Sequence, residues 1–153
     1  MTEQALIDES AESLITGLRS AAPTFALDER ALEAIYTIGF GFLESGDAEK
    51  ARVFFDFLTG QAPAEARFWA GLGYCLLDGG APGEALAPLA LATRLEPDNA
   101  GFMLGLGRAY LQAELTGHAV YAFGIAEAMA RRAGDPDLAE RARARLELMG
   151  HST

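Results

Sequence analysis

Large apolar residues return at a fixed step through the middle of the chain. Ile35, Trp69 and Met103 lie 34 positions apart. The same step links Ile38, Leu72 and Leu106, then Phe42, Leu76 and Tyr110, then Phe55, Leu89 and Phe123. Within each set of positions, apolar residues recur every three or four, with no strict alternation, so the pattern predicts helices and no strands. Small residues keep the step too, at Ala51, Ala85 and Ala119.

A helical pattern with a period of 34 is the signature of tetratricopeptide (TPR) repeats, helix–turn–helix units that bury an apolar face only by stacking on a neighbour. The spacing gives three units, 32–65, 66–99 and 100–133, with Pro63 and Pro97 closing the first two. Arg131 stands at the third closing position, where the helix is expected to continue. The fold class is therefore all-α: a superhelix of three tandem TPR units in one domain spanning 1–153, with an N-terminal helix at 3–20 and a capping helix at 136–149.

Three Gly-x-Gly triplets, at 39–41, 71–73 and 105–107, resemble phosphate-cradling loops at first sight. A phosphate loop needs its glycines at a strand-to-helix turn, and no strand-like segment precedes any of these. Gly39, Gly73 and Gly107 keep the repeat step instead. Each is expected where the first helix of a unit comes close to the small alanine of the second. Turns inside the units are read at Glu44-Ser45-Gly46-Asp47, Gly79-Gly80-Ala81-Pro82 and Thr116-Gly117, with Asp47 as an N-cap. Ala21-Ala22-Pro23-Thr24 separates the first helix from the array. Asp135 and Asp137 flank Pro136 at the start of the last helix, whose stripe is Leu138, Ala142, Leu146 and Met149.

Stacked units leave a concave face lined by their first helices. Its positions are Glu33, Tyr36, Phe40 and Leu43 in the first unit, Arg67, Ala70, Tyr74 and Leu77 in the second, and Gly101, Leu104, Arg108 and Leu111 in the third. The face is apolar for a surface that the core does not require, which marks a binding site. Aromatic and aliphatic pockets with two tyrosines and two arginines suit an extended peptide. A groove for a C-terminal carboxylate would replace Tyr36 and Phe40 with polar groups.

Charge and composition narrow the partners. The chain carries 22 acidic and 12 basic residues, a formal charge of −10. This disfavours nucleic acid and anionic membrane, both of which require clustered Lys and Arg. It suits a protein that keeps an apolar partner from aggregating. No signal peptide and no apolar run of membrane-spanning length is visible, and a single cysteine excludes an intrachain disulfide, so the expected location is the cytoplasm. Catalytic and metal constellations are missing. His118, His151 and Cys75 form no plausible set and read as structural, so neither an enzyme nor a cofactor is expected.

The stretch "ARFWAGLGYCLL" at 66–77, preceded by "AIYTIGFGFLESGDAEKARVFF" at 34–55, resembles the class II chaperones of type III secretion systems. These are small acidic TPR proteins that hold two hydrophobic translocators before export. The resemblance spans roughly residues 25–130 and is most specific at 67–73. It implies stoichiometric, ATP-independent binding of a Pro-x-Leu-x-x-Pro-like translocator segment along the concave face, with Tyr36 and Phe40 matching the family's groove aromatics. Leu43 and Ala48 stand where relatives often carry tyrosine. The resemblance also implies a role for the first helix in a homodimer, through Leu6, Ile7, Leu14, Ile15 and Leu18; the alternative is that this stripe packs back on the first repeat. Two other functions fit the repeat array: a chaperone of the helical needle subunit, and a scaffold joining folded proteins.

Overall fold

A computed structural model of the chain describes residues 2–20 and 26–150, with backbone alone at residues 3, 4, 6 and 7. The linker Ala21 to Thr24 and His151 lie outside the described residues, as do the side chains of Leu6 and Ile7. Eight helices account for the described fold: α1 (Glu3–Ser20), α2 (Glu29–Glu44), α3 (Ala48–Gln61), α4 (Ala66–Asp78), α5 (Pro82–Leu95), α6 (Ala100–Gln112), α7 (Thr116–Ala133) and α8 (Pro136–Leu148). No strand occurs among the described residues.

Side-chain caps set the start of five of these helices; at α1 the Thr2 hydroxyl oxygen accepts from the Ala5 N–H at 3.2 Å. Carboxylate or amide oxygens of Asp28, Asp47, Asn99 and Asp135 accept from the backbone N–H three residues on, at 2.8, 3.1, 3.1 and 3.0 Å. Each satisfies a donor that the first helical turn leaves without a partner.

The helices pair as α2/α3, α4/α5 and α6/α7, and α8 packs on α7. Along one side, α2 touches α4, α4 touches α6 and α6 touches α8, whereas α3, α5 and α7 do not touch one another. The first row is thus the inner, tighter curve of the superhelix. Four apolar clusters fill the array, the smallest joining Ala100, Ala130 and Ala139. The first joins Ala51, Phe55, Leu58, Phe68 and Cys75; the second is built around Leu89, Leu106 and Ala109; the third gathers Leu104, Phe123, Ala126 and Leu146.

The glycines of the inner helices face large side chains. A Cβ on Gly39 would lie 2.8 Å from Cβ of Phe54, and one on Gly107 would lie 2.7 Å from the Phe123 ring; at Gly73 it would overlap Leu89. The expectation of a close approach to alanine is corrected here. Ala51, Ala85 and Ala119 are fully buried, but the glycine notches receive Phe54, Leu89 and Phe123. A second set of notches joins neighbouring pairs. Gly71 receives the Phe55 ring, and a Cβ on Gly105 would lie 2.7 Å from the Tyr74 ring. Gly41, by contrast, has open space around it, so the first triplet looks like the others without sharing their geometry.

The intra-pair turn is built three times in the same way. Backbone bonds run from Gly46 N–H to Leu43 O, Gly80 to Leu77 and Glu114 to Leu111, at 3.2, 3.1 and 3.1 Å. Asp47, Ala81 and Leu115 then donate to Phe42, Leu76 and Tyr110, at 2.9, 2.8 and 2.8 Å. Gly46 and Gly80 take φ of +85° and +80°, and Glu114 takes +63°. The third turn was expected at Thr116-Gly117. It lies instead at Ala113–Leu115, and Thr116 already begins α7, because the hydrogen-bond pattern, not the glycine, sets the position. A non-glycine residue in this left-handed conformation costs about 1–2 kcal/mol.

Among the described residues, helix α1 packs on α3 and on no other helix. Ile15 is buried, Leu18 is half-buried and Leu14 is exposed. The Nζ of Lys50 lies 3.7 Å from the Glu12 carboxylate across this contact.

Three outcomes follow from the packing. Gly39→Ala should destabilise by about 1–2 kcal/mol, because overpacking against immobile Phe54 outweighs the helix propensity of alanine. Gly41→Ala, two residues away, should stabilise by about 0.5–1 kcal/mol; thermal or urea unfolding of the two variants gives the signs. Glu114→Gly should stabilise by about 0.5–1 kcal/mol, read as a raised Tm. Burial pushes the Cys75 thiol up to about 12 from 9.0. Its ionisation therefore opposes folding, and stability falls as pH rises above the ordinary thiol range. Because the thiolate is the nucleophile and Cys75 is buried, a thiol reagent at pH 8 should label the folded chain much more slowly than the denatured one.

Candidate functional site

The inner row of helices brings the concave-face residues together, in unequal roles. Phe40 is the open one, with 38% of its surface exposed. It stacks on Tyr36, with ring centroids 5.9 Å apart and 23° between the planes. Tyr36 in turn meets Phe55 edge-on at 5.9 Å and Phe68 at 5.7 Å. This cluster ties the exposed ring of α2 to the core beneath it.

Arg67 closes the cluster from α4. Its guanidinium lies 4.7 Å from the Tyr36 ring centre and 5.3 Å from that of Phe68. The same group donates to both Glu33 carboxylate oxygens, at 3.2 and 2.6 Å, and to Glu65 at 3.3 Å. The hydrogen bond from Arg67 holds the Glu33 carboxyl below its ordinary range and raises Arg67 itself. Burial raises Tyr36, with Arg67 opposing. Arg67 therefore holds the wall of the groove, and its donors are engaged by protein acceptors.

Tyr74 sits deeper. Its ring fills the notch at Gly105, and its hydroxyl donates to the Gly101 carbonyl at 3.4 Å. Burial pushes this phenol up, with Arg108 and Arg141 pulling in the other direction. Ala70, Leu77 and Leu104 are buried, so the open apolar surface is narrower than the sequence pattern suggested. Leu43 and Leu111 are half-buried and pack against the first and third clusters.

Between these residues lies an opening of about 320 Å³ lined by Phe40, Leu43, Tyr74, Asp78, Leu104 and Arg108, with Gly101, Gly105 and Arg141. A second, of about 410 Å³, continues toward α8 and shares Leu104, Arg108 and Arg141 with the first. Arg141, Arg145, Leu148 and Asp78 are functional-site candidates that the sequence reading did not include. The repeat step offers a signal for one of them, since Leu43, Leu77, Leu111 and Arg145 are each 34 positions apart. A larger opening of about 490 Å³ lies between α1 and α3 and touches none of the inner-row helices. Arg19, Glu49, Arg52 and Asp56 line it beside Leu18, Val53 and Phe57. It has no exposed aromatic comparable to Phe40, so the inner groove is the better ligand surface.

Other expected groups fall in structural settings. Cys75 is buried in the first cluster, and the His118 ring packs on Tyr110 with centroids 5.1 Å apart. Among the described residues no group of acidic, His or Cys side chains is arranged to hold a metal ion. Among them too, no helix is long and apolar enough to cross a membrane.

No protein-family model and no curated protein sequence matches the chain. Solved structures do. PcrH in complex with the chaperone binding region of PopD is 28% identical, with a TM-score of 0.77 over 82% of this chain and 95% of that one. PcrH from Pseudomonas aeruginosa is also 28% identical, with a TM-score of 0.75 over 80% and 93%. A chain of a T3SS complex from Aeromonas hydrophila is 26% identical, with a TM-score of 0.75 over 90% and 94%. The Yersinia enterocolitica type III secretion translocator chaperone SycD, at 22% identity and a TM-score of 0.74, shares the fold. Across most of its length, then, the chain is similar to the translocator chaperones of type III secretion and has their helical-repeat fold.

Proposed function

We propose that this chain is a cytoplasmic type III secretion chaperone. It binds an extended segment of hydrophobic translocator proteins in the groove of α2, α4 and α6, and so keeps them soluble and competent for export. The observation that carries this reading is the likeness to PcrH, whose structures include complexes with the chaperone binding regions of PopB and of PopD. The exposed Phe40, backed by Tyr36 and beside half-buried Leu43, supports it with an apolar anchor site of the right kind. A Pro-x-Leu-x-x-Pro-like segment would place its apolar side chains there, each contributing about 1.5–3 kcal/mol if fully buried.

The mode of action is stoichiometric binding, without catalysis, ATP or cofactor. The acidic body disfavours nucleic acid and stable membrane association as partners. A homodimer through α1 would use Leu14, since Ile15 is spent inside the monomer against α3.

Phe40 is the cleanest residue to test, because Tyr36 and Tyr74 also hold the fold together. Affinity purification of the tagged chain from its host, followed by mass spectrometry, should recover a protein with long apolar segments. Phe40→Asp should reduce that recovery about tenfold or more, since it places a charge where an apolar group must be buried, while the circular dichroism stays native. Equal recovery of the same partners by both proteins would remove this groove from the mechanism.

A further inference from the structure

Helix α8 extends the inner row, so the groove does not end at α6. Its two openings, sharing Leu104, Arg108 and Arg141, form one channel with an aromatic end at α2 and a basic end at α8. Arg108 has one acceptor among the described residues, Asp78 at 3.9 Å. Arg141 and Arg145 have no ion pair among the described residues. Arg143, on the same helix but outside the channel lining, is paired with both Glu140 and Glu147, at 3.9 and 2.9 Å. The helix thus neutralises its outer arginine and leaves the two lining the channel open.

Arg141 and Arg145 lie beside Arg108, and in a chain of net charge −10 acids are abundant enough to have paired them as Asp78 pairs Arg108. Their floor is apolar: Leu104 is buried beneath them, and Leu148, 82% exposed, stands beside them. An apolar floor and a cationic rim match a carboxylate carried on an otherwise hydrophobic peptide.

The geometry points to an acid-reading subsite: Arg108, Arg141 and Arg145 select a bound segment that carries Asp or Glu beyond its apolar anchors, at the end lying against α8. This inference rests on the groove reading above and adds both a chemical preference and a polarity to it. The client's segment lies with its apolar anchors at Phe40 and its acid at Arg145, and a mismatched segment loses the guanidinium contacts.

The test uses the full chain and fluorescein-labelled, C-terminally amidated peptides with a Pro-Ala-Leu-Ala-Ala-Pro core, read by anisotropy. One peptide carries a pair of glutamates after the core, one carries them before it, and a third carries glutamines at both places. One glutamate peptide should bind about three- to tenfold more tightly than the glutamine peptide at low salt. That advantage should shrink as added salt screens it, and the Arg141→Gln/Arg145→Gln variant should bind the glutamate and glutamine peptides alike. Equal affinities for wild type at low salt would overturn the subsite and leave the groove reading standing, as would an advantage that survives in the double variant. If wild type binds none of the peptides, the groove reading itself falls. Should the double variant fail to fold, the wild-type peptide comparison and its salt series still decide.

Discussion

Everything in this fold depends on backbone and bulky side chain meeting without a Cβ between them. Phe54, Leu89 and Phe123 each lie against a glycine of the preceding inner helix. That contact lets the two helices of a pair approach closely enough to bury Ala51, Ala85 and Ala119 completely. A helix carrying glycine in its interior loses about 1 kcal/mol of propensity, and the dispersion contacts of a fully buried ring offset this several times over. The pairs are stable as pairs because of this one exchange.

The same device, used again between pairs, sets the curvature. The Phe55 ring enters Gly71, and the Tyr74 ring enters Gly105. These contacts draw the inner helices together while the outer helices stay apart, and a concave face results. Among the described residues no equivalent notch exists ahead of the first pair, where Thr37 stands at the corresponding position and α1 contacts α3 alone of the helices. The Phe40 ring is therefore left exposed, backed by the Tyr36 ring, which Arg67 covers in turn. An exposed aromatic at that point is a product of how the array begins.

Much of the architecture was legible from the 34-residue step, because a repeat imposes the same packing on residues at equal positions. The step places Gly39, Gly73 and Gly107 on inner helices, and Tyr36, Phe40 and Tyr74 with them, although Tyr36 and Tyr74 also pack against the core. What it could not give was partner identity within the contact: alanine and phenylalanine keep the same period, and the notch takes the larger. Composition points to Thr116-Gly117 as the third turn, whereas the step from Gly46 through Gly80 leads to Glu114, which holds the left-handed position despite its side chain. The buried state of Leu77 and Leu104 was not legible, since each packs into a cluster drawn from three helices at once. Arg141 and Arg145 are hidden for another reason: the pattern of a helix that closes an array shows its packed stripe, and its continuation of the inner row only appears in three dimensions.

Tyr74 belongs to two structures at once. Its ring forms part of the channel lining, and it is also the wedge that fixes how the third helix pair sits on the second. Shape of the superhelix and chemistry of its groove are consequently one variable at this residue. Engineering this scaffold toward a new ligand is for that reason a problem in pitch as well as in side-chain choice: any replacement at 74 must be designed together with residue 105, or the groove being tailored will no longer have the curvature for which it was designed.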